Sequence, residues 1–392
     1  MQVYLVGGAV RDSLLGLPIK DKDFMVVGAD AKMLIDQGFS QVGVDFPVFL
    51  HPHTHAEYAL ARLERKSGAG HTAFSVHASP DVTLEDDLIR RDLTINALAI
   101  EVNGLFDDTP KTGEVVDYYG GLADLHAKVL RHVSPAFSED PLRVLRVARF
   151  YARFAPLGFR IAPETQTLMQ SISGAGELSH LSRERIWSET ARAIGESHGY
   201  HYIDCLHSLQ ILADVLPSLA VLFTDHAIYQ HTLARLTNAC LANTDLATRL
   251  SMLFADFGDD KDALNDCLTR LNMPKAPAQF VHAFINYHKI LLNIPNITAD
   301  ELLMLIEHTK AHKDDTLLMS LYDACEIYQN KSMAYPKAWL HDVITRYQTI
   351  SMANIDPNLT GKAIGDELSR LRKQALLGLL GNFQMANSLS IF

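Results

Sequence analysis

The sequence predicts an α+β head followed by a long, all-helical remainder. Short β-type runs broken by glycine and proline turns crowd into residues 1–138. From about residue 139 onward apolar residues recur at helical spacing, with few strand signals. At 392 residues and 48% hydrophobic composition, the chain has room for two to four domains with ample core. The shifts place a head at 1–138, a helical neck at 139–222, a helical body at 223–330 and a helical tail at 331–392. Pro217, the Met273–Pro277 segment, Pro295 and Pro336 punctuate the helical part.

Strands are expected at 3–6, 22–27, 40–43, 47–50, 56–62 and 97–102. The first runs into a double glycine in YLVGGAVRDSLLGLPIKDKDF, residues 4–24. Gly7 and Gly8 allow a tight turn and close approach to a ligand. Ala9 to Leu15 reads as a short helix stopped by Gly16 and Pro18. Free N–H groups at such a turn, with Arg11 beside them, suit an anion. In the next strand, KDKDFMVV, Asp21 and Asp23 are two residues apart and face one side. Paired carboxylates repel and call for a cation, and hard oxygen ligands beside a phosphate cradle point to Mg²⁺. The stretch therefore suits a nucleoside triphosphate with its metals. Neither the P-loop nor the dinucleotide glycine pattern is present, and a plain turn beside solvated carboxylates is the structural alternative.

HPHTHAEYALARLERKSGAGHTAF, 51–74, holds three alternating histidines, read as a polar loop tip because closing metal ligands are missing. Glu57 begins a strand and stands either as a third metal carboxylate or as a solvated side chain. Residues 65–70 read as a mobile basic loop. EDDLIRRDLTINALAI, 85–100, is read as a helix that puts Asp92 and Asn96 on one face after Arg90 and Arg91. Arginine suits phosphate, while Asp and Asn suit sugar hydroxyls; ordinary helix pairs are the alternative. Residues 102–121 read as a loop or hairpin.

SEDPLRVLRVARFYARF, 138–154, offers Asp140 as an N-cap and Pro141 as the first helical residue. It also brings Asp140 and Arg143 together across the first turn. Cytosine and adenine each present an amino donor beside a ring-nitrogen acceptor, whereas guanine and uracil present a carbonyl beside an N–H. A carboxylate with a guanidinium thus accepts C or A and rejects G and U. Arg146, Arg149 and Arg153 follow on nearly the same side and are candidate phosphate contacts. ELSHLSRERIWSE, 177–189, reads as a capped helix start with a structural role only.

The net charge of −11 is awkward for a nucleic-acid binder. Residues 128–160 are the local exception, with seven Lys/Arg against two acids, a local +5. RNA contact is expected there, set by geometry more than by bulk charge. No apolar run is long enough to span a membrane, and no signal peptide is visible. The four cysteines are scattered, which suits reduced thiols in the cytoplasm.

In order along the chain, LVGGAVRDSLLG…KDKDF, RRDLTINALA and EDPLRVLRVARF resemble the class II tRNA nucleotidyltransferases, the bacterial CCA-adding enzymes of the DNA polymerase β superfamily. The likeness runs from residue 1 to about 190 and includes DFPVFLHP (45–52) and ERKSGAGHTAF (64–74). It implies a polymerase-β-like nucleotidyltransferase head that adds CCA to tRNA 3′ ends from CTP and ATP without a nucleic-acid template. Gly8 and Arg11 would hold the triphosphate, and Asp21 and Asp23 would bind Mg²⁺. Arg91, Asp92 and Asn96 would meet phosphate and ribose. Asp140 and Arg143 would choose the base, with Arg146 close by, and the Arg65–Gly70 loop would help switch from CTP to ATP.

Two departures stand out. Residues 106–113 look like an insertion that lengthens a surface loop. Several relatives carry a phosphohydrolase domain with a His-Asp pair; here HTLARLTN…RLSMLFADFGDD keeps His231 and Asp256 but has Ala255 where the pair's histidine belongs, so no phosphohydrolase activity is expected. The lone His341–Asp342 dipeptide is discounted. The neighbouring readings are a poly(A) polymerase, a CC- or A-adding specialist and a non-catalytic RNA-binding module. No protein partner is readable.

Overall fold

In the computed structural model the described residues are 1–42, 48–66 and 74–389. They divide into two compact units, Met1–Ala220 and Val221–Phe392.

The first unit opens with the strands β1 (Gln2–Val6), β2 (Asp23–Val27), β3 (Ser40–Val42), β4 (Val48–Leu50), β5 (Glu57–Leu60), β6 (Arg62–Lys66), β7 (Phe74–Ala78), β8 (Leu98–Gly104) and β9 (Asp107–Asp117), and a short parallel pair, Val129–Leu130 with Arg160–Ile161, follows. Seven form one sheet in the order β3-β4-β5-β2-β1-β8-β9, while β6 and β7 pair separately. The β2–β5 pairing is parallel and the others in the main sheet are antiparallel. Alternation sorts the side chains. Val3, Phe24, Val26, Tyr58 and Leu60 form one core with Leu34 of helix α2 (Ala31–Asp36), after α1 (Gly8–Leu14). Tyr4, Val6, Met25 and Ala99 form another with Leu84 and Leu88 of α3 (Leu84–Leu88). Each such large side chain contributes about 1.5–3 kcal/mol on burial.

Two sequence expectations change here. The helix expected over 85–100 ends at Leu88. Leu93, Ile95 and Ala97 are buried, and the backbone is drawn into sheet pairing: the Gly7 N–H donates to the Leu98 carbonyl, and the Thr94 N–H to Arg131. Those pairings override helical periodicity. The expected loop insertion at 106–113 is largely strand, an exposed arm of the β8–β9 hairpin. Asn103 Nδ2 donates to Asp107 and Thr109 and closes its tip.

Helices α4 (Gly121–Ala127), α5 (Leu142–Phe154), α6 (Pro163–Gly174), α7 (Arg183–Gly195) and α8 (Tyr200–Ser208) follow. Helix α5 packs against α7 and α8 and buries apolar residues around most of its circumference, including Val144, Leu145, Val147, Ala148 and Ala152. Its arginines therefore project among neighbouring elements rather than along one solvated face.

The second unit is helical, from His226–Leu241 through Lys362–Leu389. Asp225, Asp245, Asp260 and Thr298 cap helix starts by accepting backbone N–H groups. Its core gathers Phe284, Leu321, Cys325, Trp339 and Leu376. Asp256 accepts from the Thr232 hydroxyl at 2.6 Å and pairs with Arg235. Ala255 is buried beside it, and His231 is exposed. His341 pairs with Asp315 at 3.0 Å.

Candidate active site

A cleft of about 750 Å³ opens in the first unit. Its walls come from three separated stretches: the glycine turn with Arg11 and Asp23; Asp87 to Asn96; and Asp140 to Phe150, with Arg185 from α7 and Arg62 from β6. Of the ten site residues expected from the sequence, nine line it, among them Gly8, Arg11, Asp23, Arg91, Asp92, Asn96, Asp140 and Arg143. Arg146 lines it as well, which leaves only Asp21 off the wall.

The glycine turn is backbone-dictated. Gly7 has φ +67°, and a Cβ there would stand 2.6 Å from Arg91 Nη1. Only glycine meets both conditions without strain. Arg91 Nη1 donates to the Asn96 carbonyl at 3.3 Å, and Nη2 lies 3.6 Å from Asp87. Arg11 is almost wholly buried beneath the turn. Its Nε donates to Asp12 at 2.8 Å, its Nη1 to the Asn96 side chain, and its guanidinium lies 4.9 Å from the Phe154 ring centroid. Burial pulls the Arg11 pKa below the ordinary arginine value, against the opposing pull of Asp12. Arg153 donates to Asp12 at 2.9 Å, so α1 is bolted to α5.

Asp23 opens β2, and Asp21 lies ahead of the strand, so the same-face argument for the pair does not hold as a strand property. The two carboxylates still feel each other. Burial raises the Asp23 pKa, the Arg91 charge lowers it and Asp21 raises it further. Glu57, exposed, stands opposite Asp23 in the parallel β2–β5 register; Asp23 keeps access to solvent while the cleft wall around it partly desolvates its carboxylate. Among the described residues no group of three or more potential metal ligands converges. Two hard carboxylates, one of them disfavoured as an anion by burial and by its neighbour, fit Mg²⁺, which is commonly held by one or two carboxylates plus substrate phosphates.

Asp92 and Asn96 meet as expected, although across a turn instead of along a helix: Asn96 Nδ2 donates to Asp92 Oδ1 at 2.9 Å. Arg146 donates to Asp92 Oδ2 at 2.7 Å. Burial pushes the Asp92 carboxyl up, but the Arg146 charge and the hydrogen bonds from Asn96 and Arg146 outweigh it, and the pKa falls to about 2. Asp92 is therefore an acceptor held ionised, not a proton donor.

Asp140 caps α5 as expected, and its second oxygen is engaged by Arg185 instead of Arg143. Its Oδ1 accepts the Leu142 N–H at 3.1 Å as a cap, and its Oδ2 accepts from Arg185 at 2.8 Å. Arg143 Nη1 donates to the Ala136 carbonyl at 2.5 Å. The arginines suggested as phosphate contacts each have a partner within the fold. Arg146 serves Asp92 and lies 3.8 Å from Glu189, Arg149 donates to Glu189 at 2.6 Å, and Arg153 serves Asp12. Arg131 is likewise paired with Asp124 and Glu164. Most of the local positive charge at 128–160 is thus spent inside the fold; Lys128 and Arg160 are exposed.

The sequence marked Gly7 as a turn residue but missed its packing against Arg91, and it missed Asp87 and Arg185. The ERIWSE stretch was read as structural only, yet Arg185 and Glu189 share a helix face four residues apart, Arg185 reaching Asp140 just ahead of α5 and Glu189 reaching Arg149 within it. The histidine stretch is mainly structural: His51 is buried against Phe39 and Phe106, and its Nδ1 accepts the His53 and Thr54 N–H groups. Of the expected basic loop, residues 67–70 lie outside the described residues, as do 45–47 of DFPVFLHP.

Residues 3–131 match the Poly A polymerase head domain family, and residues 158–223 match a family described as a probable RNA- and SrmB-binding site of polymerase A. A Multifunctional CCA protein of Hahella chejuensis is 41% identical over 409 residues, covering 96% of this chain and 95% of its own. A solved CCA-adding enzyme in an apo form superposes with a TM-score of 0.67 at 21% identity, covering 98% of this chain and 92% of its own. The Thermotoga maritima CCA-adding enzyme, solved with tRNA, gives 0.60 at 18% identity, covering 97% and 91%. The shared fold follows from the superpositions and the kinship from the 41% identity over nearly the whole length: the chain belongs to the family of bacterial CCA-adding tRNA nucleotidyltransferases.

Proposed function

We propose that this cleft adds the terminal CCA to tRNA 3′ ends from CTP and ATP, releasing pyrophosphate and using no nucleic-acid template. The supporting observation is convergence: residues 7–23, 87–96 and 140–146, distant in sequence, share one cleft. Asp21 and Asp23 would hold Mg²⁺, which when bound supplies Lewis-acid stabilisation at the attacking 3′-hydroxyl and the departing pyrophosphate. Gly7 and Gly8 leave room for the triphosphate against the backbone, and Arg91 and Arg11 present positive charge there. Asp92, kept ionised by Arg146, accepts from a ribose hydroxyl, and Asn96 orients it. Asp140 accepts from the amino group of cytosine or adenine while Arg143 donates to the ring nitrogen.

Extension of tRNA by Asp21→Ala and Asp23→Ala tests the metal assignment. Both should lose transfer while keeping their melting temperature; normal transfer in either removes that residue from the mechanism. The second unit is proposed to lack phosphohydrolase activity, because Ala255 offers no ligand and Asp256 is engaged by Thr232 and Arg235. A cytoplasmic location is proposed from the four buried free thiols. Among the described residues no helix is long and apolar enough to cross a membrane. The match of residues 3–131 to the Poly A polymerase head keeps poly(A) synthesis as the second reading, distinguished by product length.

A further inference from the structure

The carboxylate of Asp140 has a separate donor on each oxygen. Leu142 N–H meets Oδ1 at 3.1 Å from the start of α5, and Arg185 Nη2 meets Oδ2 at 2.8 Å from the first turn of α7. That first turn is itself pinned, because the Ser182 hydroxyl accepts the Arg185 backbone N–H at 3.4 Å. One turn further along the same face, Glu189 accepts from Arg149 of α5 at 2.6 Å. The two helices are therefore keyed together at two levels, and Arg185 reaches the cleft wall from a braced base. Its Nη1 is buried with no hydrogen-bond partner among the described residues, so the guanidinium keeps donor capacity.

We propose that Arg185 is a positioning residue for nucleotide choice, acting through Asp140. This rests on the reading that Asp140 contacts the base. Cytosine and adenine are selected by one acceptor and one donor held in fixed register. Guanine N1–H and uracil N3–H are also donors, displaced by one position along the base edge. A carboxylate free to swing accepts from those N–H groups as well, and the register is lost. Two donors on two oxygens fix the carboxylate plane, and the planar guanidinium fork suits that task better than a point charge does.

The test compares the full-length wild type with Asp140→Ala, Arg185→Met, Arg185→Lys and the Asp140→Ala/Arg185→Met double variant. The readout is kcat/KM for CTP against UTP on tRNA lacking CCA, and for ATP against GTP on tRNA ending in CC, with thermal melting as the folding control. Arg185→Met should lower both ratios by about tenfold or more, the scale of one lost directional contact. Arg185→Lys should recover part of the loss. In the Asp140→Ala background, Arg185→Met should change neither ratio further. Unchanged ratios in folded Arg185→Met, or an independent further loss in the double variant, overturn the proposal. If Arg185→Met does not fold, Arg185→Lys carries the test, and ratios within about twofold of wild type overturn it. If Asp140→Ala itself keeps wild-type choice, the base-contact reading fails, an outcome distinct from failure of the Arg185 role alone.

Discussion

Arg146→Met should expose how much of the cleft depends on one ion pair. Arg146 is the cation closest to Asp92, 2.7 Å from its Oδ2, and Asp92 is only 5% exposed. Removing one partner of a fully buried pair costs about 3–5 kcal/mol; Arg146 is itself 34% exposed, so screening brings the expected cost below that range. The remaining donors, Asn96 Nδ2 and the Leu93 N–H, both 2.9 Å from Oδ1, carry no charge. The pH dependence gives the sign. In the wild type the carboxyl is depressed from 3.8 to about 2, so its contribution is present above pH 3.8 and lost as pH falls toward 2. In the variant, burial, the largest single influence, is opposed only by the Asn96 hydrogen bond and the Arg143 charge, so the pKa should rise above 3.8. The folded variant then takes up a proton that the unfolded chain lacks, and its deficit narrows as pH falls from 7 to 4.5. The ceiling on that narrowing is about 1.4 kcal/mol per pH unit. Urea unfolding at both pH values, followed by Trp187 fluorescence in a Trp339→Phe background, reports on the first unit. An equal deficit at both pH values, or no recovery in Asp92→Asn/Arg146→Met, would refute the reasoning.

Gly7→Ala should lower stability by about 1–3 kcal/mol, because a positive φ and a 2.6 Å approach to Arg91 Nη1 add strain; a melting temperature equal to wild type would show that the turn relaxes freely. The same variant should raise KM for CTP and ATP, measured by steady-state extension, since Arg91 must shift. Asp140→Ala should let UTP and GTP in, with discrimination falling by about 1–3 kcal/mol per lost base contact; unchanged selectivity would leave Asp140 as a cap alone.

Much of this site was legible because its chemistry is local in sequence. The glycine turn, Arg11 and Asp23 lie within one short stretch, and the strands expected at 3–6 and 22–27 are present as β1 and β2. What local pattern could not supply was partnership across distance. Arg149 and Arg153 look like a cationic stripe until Glu189 and Asp12 are folded against them. Arg185 looked like helix-start decoration because its partner, Asp140, lies 45 residues earlier. The helical reading failed between Leu88 and Asn96, where Leu93 and Thr94 pair with the 131–132 segment, while the strand expected at 97–102 is present as β8. Asp92 and Asn96 nevertheless meet, because a turn can close the same four-residue gap that a helix would.

The most direct measurement is single-nucleotide-resolution extension of a tRNA lacking its 3′ CCA, with CTP alone, ATP alone and both together, beside Asp21→Ala. The account predicts growth by two nucleotides with CTP, by three with both, and none in the variant. A long A tail, a halt after two C residues with both nucleotides present, addition of A only to a CC end, or no extension by the wild type would contradict it.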